Sequence, residues 1–231
     1  MKGYSMILAA LVLVVASGAT AQAMTYQITI VNDIPGGLET GQPFSPPVCV
    51  VHDAGYSLFE PGAMASPGII LVAEEGDPSV LSMEAQASAN VSAVVVGSGP
   101  FFDPQTIDIQ GEPGDLFSAA WMLGRTNDLF SGVYDVVLPM TGTIEMQTTV
   151  WDAGSEVNTG LIQDLGFYGN PMTGPDERIP IMAIDAYAVH DDPTYGELTW
   201  DFPPSAHVII TAMGATPADE STMGMVKALY R

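Results

Sequence analysis

Trp151-Asp152-Ala153-Gly154-Ser155-Glu156-Val157-Asn158-Thr159 is the segment of this chain best equipped for chemistry. Asp152 and Glu156 stand four residues apart across a glycine-containing turn, directly after a run of strand character. Two carboxylates so placed can converge on one hard cation. Calcium takes several oxygen ligands, carboxylates and backbone carbonyls among them, and tolerates irregular geometry. A second acidic stretch, Thr126-Asn127-Asp128-Leu129-Phe130-Ser131-Gly132, reads as a loop between strands. In a β-sandwich the loops at one end meet in space, so Asp128, Asp152 and Glu156 form a candidate calcium site. The competing reading is a set of ordinary Asx turns, in which Asp128 or Asp152 bonds its own backbone. The spacing is not that of an EF-hand, whose loop runs about 12 residues.

Other residues offer less. His52-Asp53 has the makings of an acid/base pair, but a buried structural pair is the better reading. His190-Asp191-Asp192 has no second histidine nearby and reads as an acidic surface loop, and His207 opens a strand as a structural residue. There is no Gly-x-Ser-x-Gly elbow and no phosphate loop. Cys49 is the only cysteine, which excludes a disulfide within the chain and any cysteine–histidine zinc constellation. It lies in the apolar run Val48–Val51, where a buried thiol is expected. Asn90-Val91-Ser92 is a glycosylation sequon, relevant in a eukaryotic host alone.

The formal charge is −22, from 27 acidic and 5 basic residues. Phosphate backbones need Lys and Arg to displace their counterions, which excludes nucleic acid as a partner. Anionic membrane surfaces would repel such a chain, and divalent cations would be drawn to it. Much of this acidity is general solvation, so charge by itself does not define a metal site.

The elements that must position these acids follow a leader. Lys2, the apolar run Met6–Ala16 and the small residues around Ala21-Gln22-Ala23 read as a cleavable signal peptide over 1–23. The run is shorter than the about 18–20 apolar residues that span a bilayer, and no later stretch reaches that length. A secreted or periplasmic protein with no transmembrane segment after cleavage is expected. Thr25–Val31, Val48–His52, Val91–Val96, Gln105–Gln110, Tyr134–Leu138, Gly142–Trp151 and His207–Met213 read as strands, and Leu116–Leu123 as a mixed apolar run. Ser79–Ala89 reads as a helix, and Ala63–Glu75 as turn residues around an apolar patch. Gly160–Pro204 reads as long loops with one or two short strands. Short strands between Gly/Pro turns indicate one sandwich or barrel over 24–213. The tail 214–231 carries a possible helix capped by Thr216, with Pro217 at its first position.

Four segments resemble bacterial spondin-domain proteins in order and in rough interval. They are Gln42-Pro43-Phe44-Ser45-Pro46-Pro47, His52-Asp53-Ala54-Gly55-Tyr56-Ser57-Leu58-Phe59, Thr126-Asn127-Asp128 with Gly132, and Asp152 through Thr159. Those secreted proteins are related to the N-terminal spondin domain of F-spondin, an extracellular matrix adhesion protein. The resemblance implies a C2-like antiparallel β-sandwich with calcium in its end loops. It further implies that Asp128, Asp152 and Glu156 are the ligands. Glu156 stands where the animal domains carry Asp, and the animal cysteines and thrombospondin repeats are missing here.

The expectation is thus an all-β, C2-like antiparallel sandwich with long loops and one or two short helices. Its expected function is calcium-dependent binding outside the cytoplasm, without catalysis. The partner would be an extracellular matrix, glycan or lipid-headgroup ligand. Two alternatives stay open: a secreted hydrolase of polysaccharide or ester substrates using the loop carboxylates, and a structural subunit of a surface assembly.

Overall fold

The computed structural model describes residues 23–169 and 174–215. Residues 1–22 of the expected signal peptide and the expected helix from Thr216 lie outside the described residues. In chain order the first elements are β1 (Met24–Asn32), α1 (Gly37–Thr40), β2 (Val48–His52), α2 (Pro67–Glu75), α3 (Ser79–Gln86) and β3 (Val91–Val96). Then come β4 (Gln105–Gly111), β5 (Leu116–Met122), β6 (Leu129–Val137), β7 (Thr143–Gln147) and β8 (Thr149–Asp152). The last are β9 (Met182–Ala183), β10 (Ala186–Asp192), β11 (Gly196–Asp201) and β12 (Ala206–Ala215). All paired strands are antiparallel. They form a four-stranded sheet β4-β1-β12-β7, a six-stranded sheet β3-β2-β5-β6-β8-β9 and a hairpin β10-β11. The fold is an all-β sandwich.

Alternation explains the two faces. In β1, Tyr26, Ile28 and Ile30 are fully buried while Thr25, Gln27 and Thr29 are partly exposed, as period-two patterning requires. With Ile107, Ile109, Val208 and Ile210 they pack against Cys49, Val51, Phe117, Ala119 and Trp121 of the six-stranded sheet. That sheet is covered on its other side too. Val48, Val50, Ala120 and Phe130 meet Ile69, Val72 and Ala73 of α2 and Leu81 and Ala85 of α3. A strand buried on both faces has no reason to alternate, and β2 reads Val-Cys-Val-Val-His accordingly.

Three expectations need correction. Ala63–Glu75 contains helix α2, not a turn with an apolar patch. Ser66 caps it, its Oγ accepting the Ile69 N–H at 3.2 Å, Pro67 opens it, and Gly76 closes it in the left-handed region. These end signals and the burial of Ile69, Val72 and Ala73 override the β preference of Ile69-Ile70. Second, the expected strand Gly142–Trp151 is two strands in different sheets. β7 pairs with β12, and β8 pairs with β6. The chain changes sheets at Thr148, whose Oγ1 lies 2.7 Å from Ser131 Oγ and 2.9 Å from Ser205 Oγ. Strands that pass from one sheet to the other form the corners of sandwiches. Third, Gly160–Pro204 holds three strands, and Tyr187, Val189, Leu198 and Trp200 of its hairpin join the main core.

Candidate functional site

Sheet register places the first two acids. Leu129 of β6 pairs with Asp152 of β8. Asp128 immediately precedes β6 and Asp152 ends β8, so antiparallel pairing sets both at the same end of the sheet. The Ala153 N–H donates to the Asp128 carbonyl at 3.1 Å. The expected acidic loop therefore stops at Asp128, since Leu129 to Gly132 belong to β6. Thr126 holds the turn, its hydroxyl donating to the Leu123 carbonyl at 2.6 Å and accepting the Leu129 N–H at 3.2 Å.

Loop 153–159 is held on two sides. Asp128 Oδ2 accepts the N–H of Ser155 at 2.8 Å, the N–H of Glu156 at 3.0 Å and the Ser155 hydroxyl at 3.1 Å. On the opposite side the chain at 175–179 runs alongside, with bonds Glu177 N–H to Ser155 O at 2.7 Å and Ile179 N–H to Gly154 O at 3.0 Å. Asp152 forms the Asx turn anticipated for it, Oδ1 accepting the Gly154 N–H at 2.7 Å. Its Oδ2 accepts the Asn158 side-chain amide, also at 2.7 Å.

The three expected ligands are buried together: Asp128 is 0 % exposed, Asp152 5 % and Glu156 5 %. Burial pushes the Asp128 carboxyl up, against the opposing pull of its N–H bonds. Burial, then the charge of Asp128, carries Asp152 to about 7. Burial, then the charges of Glu74 and Asp128, carries Glu156 to about 7. Glu74, in the last turn of α2, is raised by burial too, with the Ser155 side chain bonded to it. Unpaired carboxylates do not normally share a desolvated site.

Three oxygens at this site are buried and have no hydrogen-bond partner: Asp128 Oδ1, Glu156 Oε2 and Asn158 Oδ1. Buried acceptors are nearly always satisfied, so each of these needs an explanation. An oxygen-loving cation supplies one, and carboxylate and amide oxygens are the donors calcium takes. Asp152 is less free, because both its oxygens already accept N–H groups. Among the described residues no group of three or more His, Cys, Asp or Glu side chains is itself arranged to hold a metal ion. A calcium site here must draw on amide or carbonyl oxygens beside the acids, as calcium sites commonly do. A cleft of about 360 Å³, lined by Glu74, Gly154, Ser155, Asp176 and Glu177 among others, leads to the loop from solvent.

The chain matches no protein-family model and no curated protein. Its spondin resemblance rests on the four sequence segments alone.

The sequence gives no sign of Glu74, because its segment reads as turn residues around an apolar patch. The Ser66-Pro67 start and Gly76 stop were the available signal for the helix, though not for which residue faces the loop. Asn127, which the sequence shows only as a neighbour of Asp128, also has a part. Its side chain bonds Glu156, and its Oδ1 accepts the Tyr187 hydroxyl at 2.7 Å.

The remaining histidines are placed as follows. His52 is buried, but its partner is not the Asp53 side chain, which is exposed and caps the Gly55 N–H at 2.7 Å. His52 Nε2 lies 2.8 Å from Ser118 Oγ, and Nδ1 lies 2.8 Å from the Asp53 carbonyl. Ser118 is itself 0 % exposed and accepts the Asp135 N–H at 3.0 Å. That hydroxyl is part of the core rather than an exposed nucleophile. His190-Asp191-Asp192 lies on β10, not in a loop, and Asp192 is buried there. His207 Nδ1 stands 2.7 Å from Asp33 Oδ2. Burial pushes the Cys49 thiol up to about 12, which keeps it unreactive.

Proposed function

We propose that this chain is a secreted, non-enzymatic β-sandwich of the spondin type that binds calcium in the end loops carrying Asp128, Asp152 and Glu156. Calcium orders the loops 124–128 and 153–159 so that they present a surface to an extracellular matrix, glycan or lipid-headgroup ligand. The observation that carries this reading is three buried, partnerless oxygens: Oδ1 of Asp128, and Oε2 of Glu156 and Oδ1 of Asn158 on the loop that Asp128 Oδ2 holds. The loop backbone is already tied down by Asp128 Oδ2, so a cation would meet a largely formed site. Asp128 and Glu156 supply the free carboxylate oxygens, and Asp152 shapes the turn.

The test is thermal unfolding of the mature protein in EDTA and then in excess calcium, beside Glu156→Gln. A cation that binds the native state alone adds about 2.7 kcal/mol at a hundred times its Kd. For a domain of this size that raises Tm on the order of 5–10 °C. The rise is expected in the wild type and absent in Glu156→Gln. No rise in the wild type at millimolar calcium would reject the site.

A further inference from the structure

Away from the acidic loops, a cavity of about 270 Å³ opens where the end of α2 meets the segment before β2. Its apolar walls include Phe44, Pro46, Met122 and Phe167, and one side is the end of α2, with Glu74 and Glu75. The negative end of a helix dipole favours Lys, Arg or His in the last turn. α2 has no basic residue there and ends on two glutamates, closed by Gly76. Among the described residues neither glutamate forms an ion pair within 4.0 Å. The nearby arginine is already engaged. Arg125 lies 4.2 Å over the Phe167 ring and 3.7 Å from Asp192, and it donates to the carbonyls of Gly41 and Glu39. An apolar cavity thus ends at two carboxyls that no described basic side chain pairs with. A local rule broken without internal compensation is the mark of a functional position.

We propose that this cavity binds a small organic cation with an apolar body, an aryl- or alkylammonium. The body packs against Phe44, Met122 and Phe167, and the ammonium faces Glu75 and Glu74. Pockets for drug-sized ligands run about 300–1,000 Å³, so this one suits a ligand of single-ring size. An anionic ligand of the same shape is excluded by the glutamates. The proposal does not rest on the calcium site. Glu74 borders both places, and the test therefore uses Glu75, which is exposed.

The experiment is calorimetric titration in EDTA with 2-phenylethylamine, 2-phenylethanol and phenylacetate. The amine is expected to bind, the alcohol about tenfold more weakly, and phenylacetate not at all. Glu75→Gln should bring the amine down to the level of the alcohol with Tm unchanged. Phe167→Ala should weaken amine and alcohol alike. Equal binding of amine and alcohol, or no binding of the amine at millimolar concentration, would overturn the proposal. So would amine binding that survives Glu75→Gln, and its loss in Glu156→Gln would place the ammonium in the acidic loops instead.

Discussion

Asp128 holds Glu156 by its backbone and repels it by its charge: Oδ2 of Asp128 accepts the Glu156 N–H at 3.0 Å, while the Asp128 charge adds to burial in raising the Glu156 carboxyl. The same carboxylate keeps its second oxygen, Oδ1, without a partner. Backbone hydrogen bonds thus fix the loop in a place that its side-chain charges oppose. A net hydrogen bond contributes about 0.5–1.5 kcal/mol, more when one partner is charged. The three donated to Asp128 Oδ2 offset part of the cost of burying it. The rest is met by protons or by a cation.

That choice has a pH signature. Asp152 and Glu156 titrate near 7 in the folded protein, against ordinary values of 3.8 and 4.5. Between those limits the folded state holds protons that the unfolded chain has released, so stability falls as pH rises. In EDTA, Tm is expected to decline from pH 5 to pH 8. Glu156→Gln should flatten part of that decline, and saturating calcium should flatten it as well, since the cation displaces the protons. A wild-type profile in EDTA with no decline across this range would contradict the crowding of these acids.

Gly154 is the position in the loop least able to change. Its φ is +69°, and an added Cβ would sit 2.2 Å from the Ile179 carbonyl oxygen. Alanine there incurs left-handed strain and pushes the chain at 179 away. Gly154→Ala should lower stability by roughly 2 kcal/mol or more in urea unfolding. It should also weaken calcium binding, because Ser155 and Glu156 follow directly. A variant with wild-type stability would mean that the loop and the segment at 175–179 can separate freely.

Arg125 should prove the most sensitive charged residue for stability. It is 5 % exposed and ties three distant places: the α1 region through the Gly41 and Glu39 carbonyls, β10 through Asp192, and the 3₁₀ turn at Gly166–Tyr168 through Phe167. Removing it loses the bonds to the Gly41 and Glu39 carbonyls and the cation beside Asp192, which still accepts the Thr194 and Tyr195 N–H groups and the Tyr168 hydroxyl, at a cost of about 1.5–3 kcal/mol. Arg125→Met is expected to lower the urea midpoint accordingly. Arg125→Lys should recover little, since an ammonium reproduces neither the planar stacking nor the fork of donors. A near-neutral Arg125→Lys would show that charge alone is what the site uses.

The all-β class was legible because β1 and β4 alternate with period two, and because Gly and Pro punctuate short runs between them. β2 was legible for the opposite reason, being apolar throughout. α2 was hidden by its Ile69-Ile70-Leu71-Val72 run, which locally favours strand. Its capping residues and its seat on Val48 and Val50 decided otherwise. The hairpin β10–β11 was hidden by acids that the sequence shows as loop-like. Asp192 ends a strand buried because the Thr194 and Tyr195 N–H groups, the Tyr168 hydroxyl and Arg125, 67 positions earlier, all meet its carboxylate.

By itself the sequence determined which acids could share a site: Asp128 and Asp152 stand at strand ends and Glu156 in the glycine-containing turn that follows, where turns expose oxygen donors. Only the tertiary structure decided their unequal roles. Asp152 spends both oxygens on local N–H groups, whereas Asp128 and Glu156 keep one each unpaired, and α2 brings Glu74 alongside. The physical reason is that hydrogen-bond satisfaction and desolvation depend on neighbours in space. Strand register and the packing of α2 set those neighbours, and neither is carried by local residue spacing.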